Sequence, residues 1–129
     1  MTVVAAAIIK RGDEVFIAKR PEGKSLAHHW EFPGGKQENN ETLPEALKRE
    51  LQEELNINVS IGDFFVSSSY QYDFGVIEIY SYFVDVPENM EINSNEHEEV
   101  KWVKIRDMEN YKFAPADVSI VKALGNKNF

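Results

Sequence analysis

The 129-residue chain carries 14 Lys and Arg against 22 Asp and Glu, a net charge of −8, with 43% apolar residues, 12% aromatics and no cysteine. The length suits one domain over residues 1–129 with a core that needs no disulfide, and the missing thiols exclude zinc–thiolate sites, iron–sulfur clusters and cysteine nucleophiles. No apolar run approaches the ~20 residues of a membrane span, and an acidic chain grips the phosphate backbone of a nucleic-acid polymer poorly, so a cytoplasmic protein is expected.

Residues 3–10 form an apolar β-rich run, and Arg11-Gly12-Asp13 supplies the turn for a hairpin with residues 14–19. Trp30-Glu31-Phe32 alternates and is expected to end at Pro33-Gly34-Gly35, which does not continue a strand. A helix follows. Thr42-Leu43-Pro44-Glu45 fits a capping box, and Leu43, Leu47, Leu51 and Leu55 recur every four residues beside Ala46. Asn56 suits the left-handed position that ends the helix. Residues 58–62 are expected as a short strand. Residues 64–72 and 76–86 read as long strands joined at Asp73-Phe74-Gly75, and 100–104 as another. Residues 87–99 read as the most mobile loop. A second helix starts at Pro115, turns Val118, Val121 and Leu124 inward and stops at Gly125. This order predicts an α+β fold with a mixed sheet between helices.

The acids are unevenly spread. Residues 34–57 hold six (Glu38, Glu41, Glu45, Glu50, Glu53, Glu54) and residues 88–99 hold five (Glu88, Glu91, Glu96, Glu98, Glu99). On the first helix Glu50, Glu53 and Glu54 stand at i, i+3 and i+4, within an arc of about 100°. Like charges on adjacent turns destabilise a helix, and its C-terminal half disfavours anions. A local rule broken this way points to a bound divalent cation, with an ordinary solvated acidic face as the alternative. Ahead of the helix, Gly34-Gly35 lets backbone approach a phosphate or a metal closely.

These residues share one spacing. Gly35, five residues, Glu41, seven residues and then Arg49-Glu50-Leu51-Gln52-Glu53-Glu54-Leu55-Asn56-Ile57 resembles the Nudix box, G-x5-E-x7-R-E-U-x-E-E-x-G-U, with U aliphatic. Eight of nine defined positions agree across residues 35–57, and Asn56 replaces the last glycine. Trp30-Glu31-Phe32-Pro33-Gly34-Gly35-Lys36 looks like the entry to the box in MutT-type members of the family. Phe113-Ala114-Pro115-Ala116-Asp117 looks like their base-recognition segment.

The resemblance implies a Nudix fold, a mixed sheet in an α/β/α sandwich. It also implies Mg²⁺-dependent hydrolysis, with Mn²⁺ as the alternative ion, of a nucleoside triphosphate to monophosphate and diphosphate. The implied substrates are oxidised or modified nucleotides such as 8-oxo-dGTP, or CTP and dCTP, and the implied enzyme is a monomer or homodimer. By the same resemblance Glu50, Glu53 and Glu54 are metal ligands, with a backbone carbonyl of Gly34 or Gly35. Arg49 orients the carboxylates and Glu41 holds the loop. Counting back from Trp102 makes Glu96 the loop acid, as metal ligand or general base, with Glu98 and Glu99 as alternatives. His97 reads as an exposed loop residue, with a general base as the alternative. Asp117 is expected to face the base or to cap the second helix, and Phe32 and Tyr70 to stack. Arg20 is placed toward the phosphates, and Lys36, His28 and His29 are further phosphate contacts. Two other readings stay open: hydrolysis of another nucleoside diphosphate derivative, and a non-catalytic nucleotide- or DNA-reading module. The intact Arg49, Glu50, Glu53 and Glu54 set counts against the second.

Overall fold

Strand β1 (Thr2–Arg11) is apolar on both faces, which makes it the axis of the fold. Ala5, Ala7 and Ile9 pack on Leu47, Leu51 and Leu55 of helix α1 (Leu43–Leu55). Ala6 and Ile8 pack with Ile120, Val121 and Leu124 of helix α2 (Pro115–Asn126) on the other face. The computed structural model, which describes residues 1–127 and 129, therefore has a sheet layer between two helices.

The sheet is mixed. Beside β1 it holds β2 (Glu14–Lys19), β3 (Trp30–Glu31), β4 (Gly34–Lys36), β5 (Phe64–Tyr72), β6 (Gly75–Asp85) and β7 (Glu99–Lys104). One edge of β1 pairs in parallel with β6, from Thr2 opposite Ile77 to Lys10 opposite Asp85. The other edge is divided. Val4, Ala5 and Ala6 pair antiparallel with β4, and Lys10 and Arg11 pair with β2. Strand β2 carries on into antiparallel pairing with β7 and β3. Trp30 N–H donates to Lys112 O at 2.8 Å, and Ala114 N–H donates to Trp30 O at 2.9 Å. Those bonds tie β3 to the segment that leads into α2.

Several elements differ from the expectation. Pro33 does break the chain, but Gly34–Lys36 resumes as β4, because two glycines lie flat against the alanines of β1. Residues 58–62 are not a strand. They carry no regular structure, with Gly62 N–H donating to Phe83 O of β6 at 2.8 Å, while Ile57 and Val59 enter the core. Val118 points to solvent, since Ile120 takes the inward place beside Val121 and Leu124. Helix α2 runs one residue past Gly125. A 3₁₀ helix, Ile105–Asn110, buries Met108. The 87–99 segment is fastened rather than free: Arg11 Nη1 donates to Glu88 O at 2.8 Å, Ile92 is buried, and Glu98 N–H donates to Lys19 O at 2.9 Å.

Candidate active site

The divided edge of β1 opens into a cleft of about 830 Å³. Gly34, Gly35, Glu50, Glu54, Glu96 and His97 line it, as do Asp117, Tyr72 and Phe74, with Arg20, Glu31, Phe32 and Lys36 also on its walls.

Helix α1 presents its three clustered acids unequally. Its capping box forms as read: Thr42 Oγ1 accepts from Glu45 N–H at 3.2 Å, and Glu45 Oε1 accepts from Thr42 N–H at 2.8 Å. Asn56 ends it in the left-handed conformation, at φ 54°. The fixed helix then turns Glu54 into the cleft with 9% of its side chain exposed, sets Glu50 at the rim, and leaves Glu53 60% exposed. Burial foremost, then the charges of Glu31, Glu96 and Glu50, push the Glu54 carboxyl up to about 8. Lys24 offsets only part of that.

The glycines before the helix are required by what faces them. A Cβ on Gly35 would run into the Glu50 carboxyl, with Cγ at 2.7 Å. A Cβ on Gly34 would strike the backbone of Ala5 and come within 2.9 Å of Ala6 Cα, and Gly34 also sits at φ +154°. Arg49 spans loop and helix. Its Nε and Nη2 donate to the two Glu41 carboxylate oxygens at 2.6 and 3.0 Å, Nη1 to Glu50 Oε1 at 2.8 Å, and Nη2 also to Lys36 O at 3.1 Å. The Arg49 bonds, with a backbone N–H from Glu38, hold the Glu41 carboxyl below the usual carboxylate range.

The loop acids separate by their partners. Glu98 is held by Lys19 and His28, and Glu99 starts β7 with Lys101 beside it at 4.0 Å. Glu96 lines the cleft and acts electrostatically on Glu54. His97 overturns the expectation of an exposed residue. Its side chain is 5% exposed, with Nε2 3.1 Å from Glu31 Oε2 and 3.3 Å from Glu54 Oε1. Sequence reasoning had His97 as exposed, with a general base as the alternative, and gave Glu31 no role of its own. The available signal for Glu31 was its position between Trp30 and Phe32, on the opposite face of an alternating strand. Glu31, Glu54 and His97 each offer one ligand atom, and these lie within 4.8 Å of one another. Carboxylates gathered at a buried, negatively charged spot fit a divalent metal ion.

Asp117 is 4% exposed, and its Oδ2 accepts from Phe32 N–H at 3.3 Å. It caps nothing: the N-cap of α2 is Ala114, without a side-chain cap bond. Burial foremost, with the charge of Glu31, pushes its carboxyl well above the ordinary value. Phe32 packs beside Phe113, with centroids 5.4 Å apart. Tyr70 is not part of this wall. It is 44% exposed on β5, and the cleft residues are instead Tyr72 and Phe74, stacked at 5.0 Å. Period-2 alternation puts Tyr70 and Tyr72 on one face, and the hairpin turn after Tyr72 brings Phe74 back over it. Arg20 donates to Glu31 Oε1 at 3.0 Å and to Ser25 O at 2.7 Å, which sets it on the wall. Of the two histidines named as phosphate contacts, neither lines the cleft.

Comparisons with known proteins agree with this geometry. The model of the NUDIX domain matches residues 1–124. The CTP pyrophosphohydrolase of Escherichia coli (strain K12) is 34% identical over 124 residues, covering 95% of this chain and 90% of its own. An 8-oxo-dGTP diphosphatase of Haemophilus influenzae is 32% identical over 127 residues, covering 96% and 91%. The solution structure of the E. coli ORF135 protein superposes with a TM-score of 0.83 at 33% identity, covering 97% of this chain and 89% of that one. The MutT protein from Methanosarcina mazei Go1 shares the fold, with a TM-score of 0.87 at 22% identity over 98% and 96%. Matched along almost its whole length by the family model and by relatives above 30% identity, the chain belongs to the NUDIX domain family.

Proposed function

We propose that residues 1–129 form one domain that hydrolyses nucleoside triphosphates to monophosphate and diphosphate in the cytoplasm, with Mg²⁺ as the ion. The observation that carries this is the polarity of a single cleft. Carboxylates and close-set glycines gather around Glu50, Glu54 and His97, and aromatic side chains gather around the one buried carboxyl, Asp117. A triphosphate fits the first and a base the second. The names of the relatives, CTP pyrophosphohydrolase and 8-oxo-dGTP diphosphatase, support the same substrate class.

Each residue then has a task. Glu50, Glu53 and Glu54 hold the ion, with a carbonyl of Gly34 or Gly35, and Arg49 keeps Glu50 aimed by the bond at 2.8 Å. When bound, a divalent ion neutralises phosphate oxygens and lowers the pKa of the attacking water. Glu96 accepts the proton of that water. The water oxygen bonds to one phosphorus of the α–β anhydride, the bridging bond to that phosphorus breaks, and the departing phosphate takes the bond's electron pair, leaving monophosphate and diphosphate. Arg20 and Lys36 lie along the phosphates. Phe32 and Asp117 contact the base, with Tyr72 and Phe74 in the place the sequence had assigned to Tyr70.

The test is diphosphate release from 8-oxo-dGTP, CTP, dCTP, UTP and dTTP, with and without Mg²⁺. We expect turnover only with the ion, and kcat/KM values that differ by about tenfold or more across the five bases. Turnover confined to nucleoside diphosphate sugars or dinucleotides would replace the substrate class. Nucleotide binding without turnover would make the chain a reading module.

A further inference from the structure

Glu96 sits on a loop, and its carboxylate is free. It lines the cleft and its charge acts on Glu54, yet its side chain makes no hydrogen bond or ion pair among the described residues. What is held is the backbone on either side. Glu96 N–H donates to Ser94 Oγ at 3.1 Å, and Glu98 N–H donates to Lys19 O at 2.9 Å. Between these two bonds His97 turns inward, with 5% of its side chain exposed. Its Nε2 lies 3.1 Å from Glu31 Oε2 on β3 and 3.3 Å from Glu54 Oε1 on α1.

The bonds run in one direction. Nε2 faces carboxylate oxygens, so the proton of the neutral ring belongs there. Nδ1 is then an acceptor, and the Ser94 hydroxyl 2.7 Å away donates to it while accepting from Glu96 N–H. The chain leads from the Glu96 backbone through Ser94 and His97 to Glu31. Glu31 is itself fixed, because Arg20 donates to its other oxygen at 3.0 Å. Both nitrogens of the buried imidazole are paired, as burial requires. A side chain placed only through its backbone depends on such bonds, and a displacement of about 1 Å at a reacting group costs about 10²-fold in rate.

We propose that His97, backed by Ser94, is a positioning residue: it pins residues 94–98 to β3 and α1 so that the Glu96 carboxylate reaches the attacking water. The inference rests on the hydrolase reading above and on the role given there to Glu96. A contact that only stabilised the fold would lower activity with or without Glu96, whereas this one acts on the rate through Glu96 alone.

The experiment is a double-mutant cycle on Mg²⁺-dependent diphosphate release from the best of the five nucleotides. His97→Ala should lower kcat by about 10- to 100-fold and leave KM within about threefold. His97→Gln, whose amide N–H stands in for Nε2–H, should recover part of the loss. In a Glu96→Gln background, His97→Ala should lower kcat by less than about threefold further. Losses that multiply in the double variant would overturn the proposal, as would wild-type kcat in His97→Ala. If His97→Ala does not fold, Ser94→Ala replaces it in the same cycle, with Ser94→Thr as the variant that keeps the hydroxyl. Multiplied losses there, or wild-type kcat in Ser94→Ala, overturn the proposal equally. A Glu96→Gln variant with wild-type kcat would remove the acceptor and the pin together. Wild-type protein that releases no diphosphate with Mg²⁺ would sink the hydrolase reading itself, whereas multiplied losses in a working enzyme sink the pin alone.

Discussion

Gly34 and Gly35 are adjacent glycines needed for different reasons, and substitution separates them. The Gly34 side is backbone, and backbone cannot step aside: Gly34→Ala should cost about 2–4 kcal/mol through strain at positive φ and collision with β1. The Gly35 side is the end of a flexible side chain, so Gly35→Ala displaces the Glu50 carboxyl at little cost to stability. We expect urea denaturation to show a large loss for Gly34→Ala and less than about 1 kcal/mol for Gly35→Ala. Divalent-ion binding should nevertheless fall in Gly35→Ala. Intact ion binding there would free Glu50 from its assigned role. Asp117 gives a second prediction at this scale. Burial raises its carboxyl above the usual range; the protonated form carries one donor and one acceptor, and Oδ2 accepts from Phe32 N–H. Asn has the same donor and acceptor pair. Asp117→Asn should therefore keep kcat/KM on the best substrate within about threefold, while Asp117→Ala loses roughly 5- to 150-fold, the cost of an unpaired polar contact. Equal losses in the two variants would mean that Asp117 reads as an anion.

Helix α1 is the element whose sequence and structure agree most closely, because its signals are local. Thr42, Glu45, the four leucines and Asn56 act within a few residues of one another, and each takes the place its chemistry indicates. Two substitutions test this. Thr42→Ala removes the cap and should cost about 1 kcal/mol. Asn56→Gly relieves the left-handed residue and should add about 0.5–1 kcal/mol, with no change in turnover. Thermal melts of both variants check the signs. Agreement fades where contacts are made across the chain. Strand β4 was hidden because three residues with two glycines have no β propensity, and only the flat alanine face of β1 makes them a strand. His97 was hidden because its loop looks solvated. Its burial depends on Glu31 and Glu54, which lie 66 and 43 residues away in sequence. Tyr70 and Tyr72 share one face of β5, and only the hairpin turn decides which of them meets the cleft. The divalent-ion end of the cleft was legible because a fixed spacing carries it. The aromatic wall was legible only in part.

At the scale of the whole molecule, a chain at −8 concentrates its strain in the cleft, and this sets how stability depends on pH. Glu54 has an ordinary value of 4.5 and a folded value of about 8, so between those limits the folded state keeps a proton that the unfolded state releases. Its contribution is lost as pH rises through that window, and the gap corresponds to at most about 5 kcal/mol. Asp117 pulls in the same direction. Glu41, Glu45 and Glu98 are held low, so their contributions are present above about 4.5 and are lost only as pH falls. The ion-free protein should therefore be most stable near about pH 5, and its Tm in chelator should drop by several degrees by pH 8. A divalent ion compensates the same carboxylates. At 100 times its Kd it should restore about 2.7 kcal/mol at pH 8 and much less at pH 5, where protons compete for Glu54. Glu54→Gln should flatten the profile, raise the ion-free Tm at pH 8 above wild type, and abolish both the Mg²⁺ increment and turnover. Tm measured from pH 5 to 8 with chelator and with Mg²⁺ checks this in both proteins. A wild-type profile that is flat in chelator would mean that Glu54 and Asp117 are stabilised by groups other than the ion, and that the cleft is not under electrostatic strain.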